Sequence, residues 1–197
     1  MLTRTIRTKH NGVEKYNFPD AEFNFETFKG LSHIQDMIYY CDKYLRRIGS
    51  GFSRIVYHLS ENKVIKISTE QYNKEQNINE NYIFSKASFC LTKIYDTDTE
   101  LVWIVAEYAE AVVKQDFENI LGCSFEDILK WYHEGCNGKD ISNNLWFQEF
   151  KKLCDLGIND IDNIDAWGKV KENGIDKLVI KDYGFLNKND KNLYSTL

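Results

Sequence analysis

Two glycines break an apolar run early in the chain, Ile48-Gly49-Ser50-Gly51-Phe52-Ser53-Arg54-Ile55-Val56-Tyr57, and a second run, Val64-Ile65-Lys66, follows one short turn later. This pattern restricts the front of the chain to an antiparallel sheet. Short β-branched runs separated by glycine, Asn and charged turn residues form strands that fold back on one another. We expect strands over Leu45–Ile48, Arg54–Leu59 and Lys63–Ile67, the last two joined at Glu61-Asn62. Glycine lacks the Cβ that keeps ligands away from backbone N–H groups, so Gly49, Ser50 and Gly51 suit a loop that wraps phosphate oxygens. A plain tight hairpin has the same pattern. Val64 and Ile65 make Lys66 part of a half-buried strand, and a buried ammonium needs a counter-ion. Glu80, on the following polar segment, is the first choice, because Ile83 and Phe84 would pack that segment against the sheet; Glu75 is the alternative.

Away from the glycine turn the periodicity changes several times. Residues 1–30 are polar with spaced aromatics, and Phe23-Asn24-Phe25 alternates like a strand. Apolar positions at Ile34, Met37, Ile38, Cys41 and Leu45 predict a helix from Ser32, its cap, to Arg46. A helix is expected over Thr69–Ala87, then a strand pair, Leu91–Tyr95 and Leu101–Ala106, with the strand run ending at Glu107-Tyr108-Ala109-Glu110. Three amphipathic stretches follow, around Phe117, Phe125–Tyr132 and Trp146–Cys154, with a loop over Gly135–Gly138. After Gly157 the chain returns to loops and strands, with a hairpin of Trp167–Val170 and Leu178–Ile180 around Asn173-Gly174. Lys188–Leu197 is a short polar ending. Strands first and helices second give an α+β chain.

A net charge of −5 over 197 residues argues against general nucleic-acid or anionic-membrane binding. Five widely spaced cysteines without a CxxC pair argue against a disulfide framework or a structural zinc site, and fit a reducing cytosol. No apolar run is long enough to span a bilayer. His133 and Cys136 read as a helix end rather than a metal site, and Trp131-Tyr132 and Trp146-Phe147 as core.

Gly49-Ser50-Gly51 with Val56-Tyr57, Val64-Ile65-Lys66, Gln76-Asn77 with Glu80, and Asp182-Tyr183-Gly184 together resemble the protein-kinase-like superfamily, above all the short kinase-like proteins of bacteria and their phages. The likeness runs from Leu45 to Phe185. It implies a two-lobed fold: a β-rich front lobe with one main helix, and a minimal, truncated helical back lobe with a β-hairpin. The implied limits are 1–44 for an N-terminal extension and leading helix, 45–110 for the front lobe and hinge, and 111–197 for the back lobe. It also implies ATP and Mg²⁺ as cofactors. Lys66 resembles the lysine on the α- and β-phosphates, and Glu80 its partner. Glu107 to Ala109 resembles the adenine-binding hinge, and Asp182 the Mg²⁺-binding acid. In the catalytic loop the pattern departs: no His-Arg-Asp is present. Asp160 fits best as the base, since Asp165 then takes the second metal position; Asp162 and Asn163 compete. A hairpin from Trp167 to Ile180 would bring Asp165 and Asp182 together; the alternative is an acidic surface loop capped by Asn and Asp turns.

Only 13 residues follow Gly184, so a peptide-substrate platform is expected to be missing or supplied by another protein. Three functions follow: an ATP–Mg²⁺ phosphotransferase with Asp160 as base, a pseudokinase that binds nucleotide or a host or viral protein, and a phage structural or virion-associated protein that inherits the fold. The retained Lys66, Glu80 and Asp182 favour the first.

Overall fold

The structure, a computed structural model, describes residues 6–10, 13–18, 20–136 and 144–185, with 6–10 and 13–17 described through their backbone only. The polar ending Lys188–Leu197, and Asn137 and Gly138 of the expected loop, lie outside the described residues. The chain is a mixed α/β protein with antiparallel pairing and six α-helices among the described residues, in two compact units.

The first unit is Met1–Lys74 with Tyr95–Ala106. Its centre is a sheet of β3 (Arg46–Ser50), β4 (Arg54–Ser60), β5 (Lys63–Ser68), β6 (Ile94–Thr97) and β7 (Trp103–Glu107), in the order β3-β4-β5-β7-β6. The three expected strands are present, and the register pairs Val56 with Lys66 and Tyr57 with Ile65. A bulge between Arg47 and Gly49 leads β3 into the glycine turn. Strand β5 lies between two neighbours and is buried from Val64 to Ser68. A separate hairpin, β1 (Ile6–His10) with β2 (Val13–Asn17), precedes it.

Phe23-Asn24-Phe25 is not a strand. Asn24 caps a short helix, α1 (Phe25–Lys29), accepting from Thr27 N at 3.0 Å. Helical spacing puts Phe25 and Phe28 on one face, against Trp103 at ring separations of 5.7 and 5.5 Å. The cap of α2 (Ile34–Tyr44) is His33 rather than Ser32, without a side-chain bond. Helix α2 is tied to the sheet by Tyr57 Oη, which donates to Asp42 at 2.9 Å, and to the segment before α1 by Tyr40 Oη, which donates to Asp20 at 2.8 Å. Phe18, Phe23, Phe25 and Phe28 thus join the core of the first unit.

The second unit is Glu75–Ile94 with Glu107–Leu197. It contains α3 (Glu75–Lys86), α4 (Lys114–Leu121), α5 (Phe125–His133) and α6 (Leu145–Asp155), with a three-stranded sheet of β8 (Glu110–Ala111), β9 (Trp167–Glu172) and β10 (Ile175–Ile180). Asn173 (φ 54°) and Gly174 (φ 81°) turn β9 into β10 in two left-handed residues, as an Asn-Gly hairpin requires. The expected end of the strand run at Glu107–Glu110 is overturned: Glu110 and Ala111 pair with Lys169 and Gly168. A strand of two residues has no periodicity to reveal it. Leu91 pairs with Ile180 rather than opening a strand.

Trp146, Phe150, Phe117 and Trp167 form the centre of this core, with ring separations of 5.0 Å for Trp146–Phe150 and 5.3 Å for Phe117–Trp167. Ile83 and Phe84 of α3 pack into this core. Helix α3 also buries Gln76, Asn77, Asn79 and Glu80, so its buried face is largely polar.

Candidate functional site

In the first unit, Gly51 N–H donates to Arg54 O at 2.9 Å and closes the turn that holds Gly49, Ser50 and Gly51. Neither glycine has φ in the left-handed region. A Cβ on Gly49 would come no nearer than 3.5 Å to Val56, and one on Gly51 no nearer than 3.9 Å to Arg54 O. The fold would therefore tolerate side chains at both positions. Lys66 is buried, only 5% exposed, in the strand opposite Val56.

In the second unit a loop carries Asp160, Asp162, Asn163 and Asp165. Gly157 N–H returns to Cys154 O at 2.9 Å and ends α6. Asp160 has φ 71°, a left-handed conformation that strains a residue with a Cβ by about 1–2 kcal/mol. Asn163 N–H donates to Asp160 O at 3.1 Å, and Asn163 Oδ1 accepts from Asp165 N at 3.0 Å, capping a single 3₁₀ turn over Ile164–Ala166. The buried Trp167 holds the loop from below, donating Nε1–H to Ile161 O at 2.9 Å.

Hairpin β9–β10 then returns the chain beside this loop. Ala166 O accepts from Lys181 N at 2.8 Å and from Asp182 N at 3.3 Å, and Phe185 O accepts from Asn159 N at 2.8 Å. Two acidic segments far apart in sequence therefore run side by side. The electrostatics agree. The Asp160 carboxyl is raised above the ordinary aspartate value, first by burial and then by the charges of Asp182 and Asp162. Lys181 is lowered by burial, against the opposing pull of Asp165 and then Asp182. Its stem packs over Gly168, with Cδ 3.4 Å from where a Cβ there would stand. Sequence reasoning passed over Lys181, although its place directly before Asp182 was a signal.

The competing residues have other engagements. Asp162 Oδ1 lies 3.0 Å from His133 Nε2 at the surface, and Asn163 serves as the cap. Glu80 is fully buried on α3. At the expected hinge, Glu107 N–H donates to Lys93 O at 2.8 Å, and the Glu107 carboxylate accepts from Lys93 N at 3.2 Å. Ala109 is buried, and its Cβ faces Gly168: a Cβ added there would lie 2.6 Å from it.

Gly184 is equally crowded, and against backbone. A Cβ on it would stand 2.6 Å from Gln76 O and 3.0 Å from Gln76 Cα, so the first turn of α3 rests directly on this glycine. Asn79 Nδ2 adds a bond to Gly184 O at 2.8 Å, and the buried Tyr183 donates to Thr92 O at 3.1 Å. Among the described residues no group of three or more His, Cys, Asp or Glu is gathered to hold a metal ion. None of the described helices is long and apolar enough to cross a membrane.

No family model matches the sequence, and no curated protein matches it significantly. Among solved structures the chain is similar to the streptomycin–ATP–APH(2")-IIa ternary complex. The TM-score is 0.39 and the identity 11%, over 80% of this chain and 72% of that one. A likeness of this size assigns neither fold nor activity.

Proposed function

We propose that the protein binds Mg²⁺–ATP and transfers its terminal phosphoryl group to a hydroxyl acceptor, as a minimal protein-kinase-like phosphotransferase. The observation that carries this reading is the glycine turn: Gly49 and Gly51 are required by neither backbone conformation nor crowding. Glycines that the fold can do without leave the turn free of the Cβ atoms that would keep phosphate oxygens away from its backbone. The buried Lys66 supplies a point charge for the same phosphates.

Asp182 and Asp165 are the residues that would hold Mg²⁺. This ion is bound by one or two carboxylates together with substrate phosphates. When bound, Mg²⁺ would neutralise charge on the phosphates. Asp160 accepts the proton of the acceptor hydroxyl, and its raised pKa makes it a stronger base than an ordinary aspartate. The residues from Glu107 to Ala109 contribute backbone groups to the adenine. The limits 1–44, 45–110 and 111–197 go with this reading.

A pseudokinase is the second reading, and Lys181 favours it. An ammonium facing Asp165 and Asp182 supplies a positive charge where the first reading needs a metal ion.

The test is thermal unfolding with and without Mg²⁺–ATP. Ligand at a hundredfold excess over Kd stabilises by about 2.7 kcal/mol. Lys66→Ala should abolish the shift. Gly49→Ala and Gly51→Ala should leave the ligand-free melting temperature unchanged and weaken the shift. Asp160→Ala should keep binding and stop transfer. Binding without transfer to any acceptor supports the pseudokinase. No response to ATP refutes nucleotide binding in either reading and favours a structural role.

A further inference from the structure

Strand β10 is at the edge of the second unit's sheet, and its outer side is covered at one end only. The Asn173-Gly174 turn makes Glu172 and Ile175 the closing pair, whose backbones bond to each other. Bonding and non-bonding pairs alternate along an antiparallel ladder, so Lys177 and Val179 also bond inward to β9. Asp176, Leu178 and Ile180 therefore turn their N–H and C=O groups outward. The last two have neighbours there. Ile180 N–H donates to Cys90 O at 2.8 Å, Ile180 O accepts from Thr92 N at 3.1 Å, and Leu178 O accepts from Trp146 Nε1 at 3.1 Å. Asp176 is exposed, and among the described residues no strand or bridge lies beside it.

A groove of about 370 Å³ adjoins this open edge, with Phe89, Ile120, Leu121, Leu145, Trp146 and Ile175 in its walls. Three of these large apolar side chains meet water: Phe89 is 36% exposed, Leu145 57% and Ile175 72%. The rim carries two acids and one base, Glu172, Asp176 and Lys177. Lys177 is already engaged, with Nζ 3.2 Å from Glu172 and 4.1 Å from the centre of the Phe89 ring. Asp176 has no ion pair among the described residues, so the charge left to satisfy is negative. A second copy of this edge would not satisfy it. The two-fold antiparallel registers that pair the outward groups of Asp176 near their centre set Asp176 against Asp176 or Lys177 against Lys177, and like charges directly opposite destabilise a ladder.

We propose that this edge is a docking site for an extended segment of another protein. The segment adds as a strand along residues 175–177, exchanges backbone bonds with Asp176, places an aliphatic or aromatic side chain in the groove and sets a Lys or Arg beside the Asp176 carboxylate. The site belongs to the second unit alone, and the inference is independent of the nucleotide reading.

The test selects binders of the full chain from a library of random heptapeptides and measures the synthetic peptides by fluorescence anisotropy. Selected peptides should combine an apolar residue with Lys or Arg. A strand bonds its neighbour through every second residue. N-methylation of alternate amides should therefore abolish binding in one phase and spare it in the other. Binding should slow hydrogen exchange of the Asp176 amide. Ile175→Asp should weaken binding about tenfold or more, through the lost apolar contact, and Asp176→Lys should weaken the basic peptides. Both side chains are exposed, so both variants should keep the wild-type melting temperature. The proposal is overturned if no peptide is selected, if the selected peptides bind Ile175→Asp as well as wild type, if both N-methylated phases bind or both fail, or if sedimentation shows the full chain dimerising through this edge.

Discussion

Replacing Gly184 by alanine tests whether α3 is seated on the Asp182-Tyr183-Gly184 segment. Gly184 is not in the left-handed region, so alanine meets no backbone strain there. In open surroundings such a change would stabilise by about 0.4–1 kcal/mol, because the unfolded chain loses freedom. The structure predicts the opposite sign. The new methyl would stand 2.6 Å from Gln76 O, 3.0 Å from Gln76 Cα and 3.1 Å from Gln76 C, all of them backbone atoms. A flexible side chain could swing aside; the first turn of a helix must move as a body. Overpacking of this kind costs about 1–3 kcal/mol. Moving α3 also lengthens the bond from Asn79 Nδ2 to Gly184 O, now 2.8 Å, at a further cost of about 1 kcal/mol. A loss of about 3 kcal/mol corresponds to a fall of roughly 6–12 °C in melting temperature. Scanning calorimetry or urea titration measures it. An unchanged or more stable Gly184→Ala protein refutes the close approach of α3 to Gly184.

Gly168→Ala should likewise destabilise, because its methyl would meet the Ala109 methyl at 2.6 Å; adding Ala109→Gly should restore part of the loss, and no recovery in the double variant refutes that contact. Asp182→Asn should lower the Asp160 pKa, followed by carboxyl NMR, since it removes a like charge; an unmoved Asp160 signal refutes their proximity. Asp160 is raised in the folded state, so its ionisation weakens stability as pH climbs from the unfolded value near 3.8 through the folded one, and Asp160→Asn should flatten that part of the pH–stability curve. Asp116 is the reverse case. Val113 N–H, donating at 2.8 Å, and Lys169 at 2.9 Å hold it below its ordinary value, so its stabilisation is full above about pH 3.8 and is lost as pH falls through the depressed value. Asp116→Asn should cost about 1 kcal/mol at neutral pH and nothing in strong acid, measured by urea unfolding at both.

The strands on either side of the glycine turn, the Asn173-Gly174 hairpin and the helical stretches around Phe117, Phe125 and Trp146 were all legible in the sequence. Turn chemistry and apolar period act over a few residues, so the chain states them locally. The misreadings also have local causes. Phe23-Asn24-Phe25 alternates for three residues, too few to outweigh an Asn cap with Phe25 and Phe28 on one helical face. Glu110 and Ala111 become a strand only because Lys169 and Gly168 arrive beside them.

Sequence alone settled which residue types were available, and roughly which element bore each. Their neighbours were decided by chain closure over long separations. The return of β10 puts Asp182 beside the loop of Asp160 and Asp165, and a helix start 108 residues earlier makes Gly184 indispensable as a glycine. No window of sequence contains both partners of these contacts. Their energies exist only once the intervening chain has packed, so the fold itself is their cause.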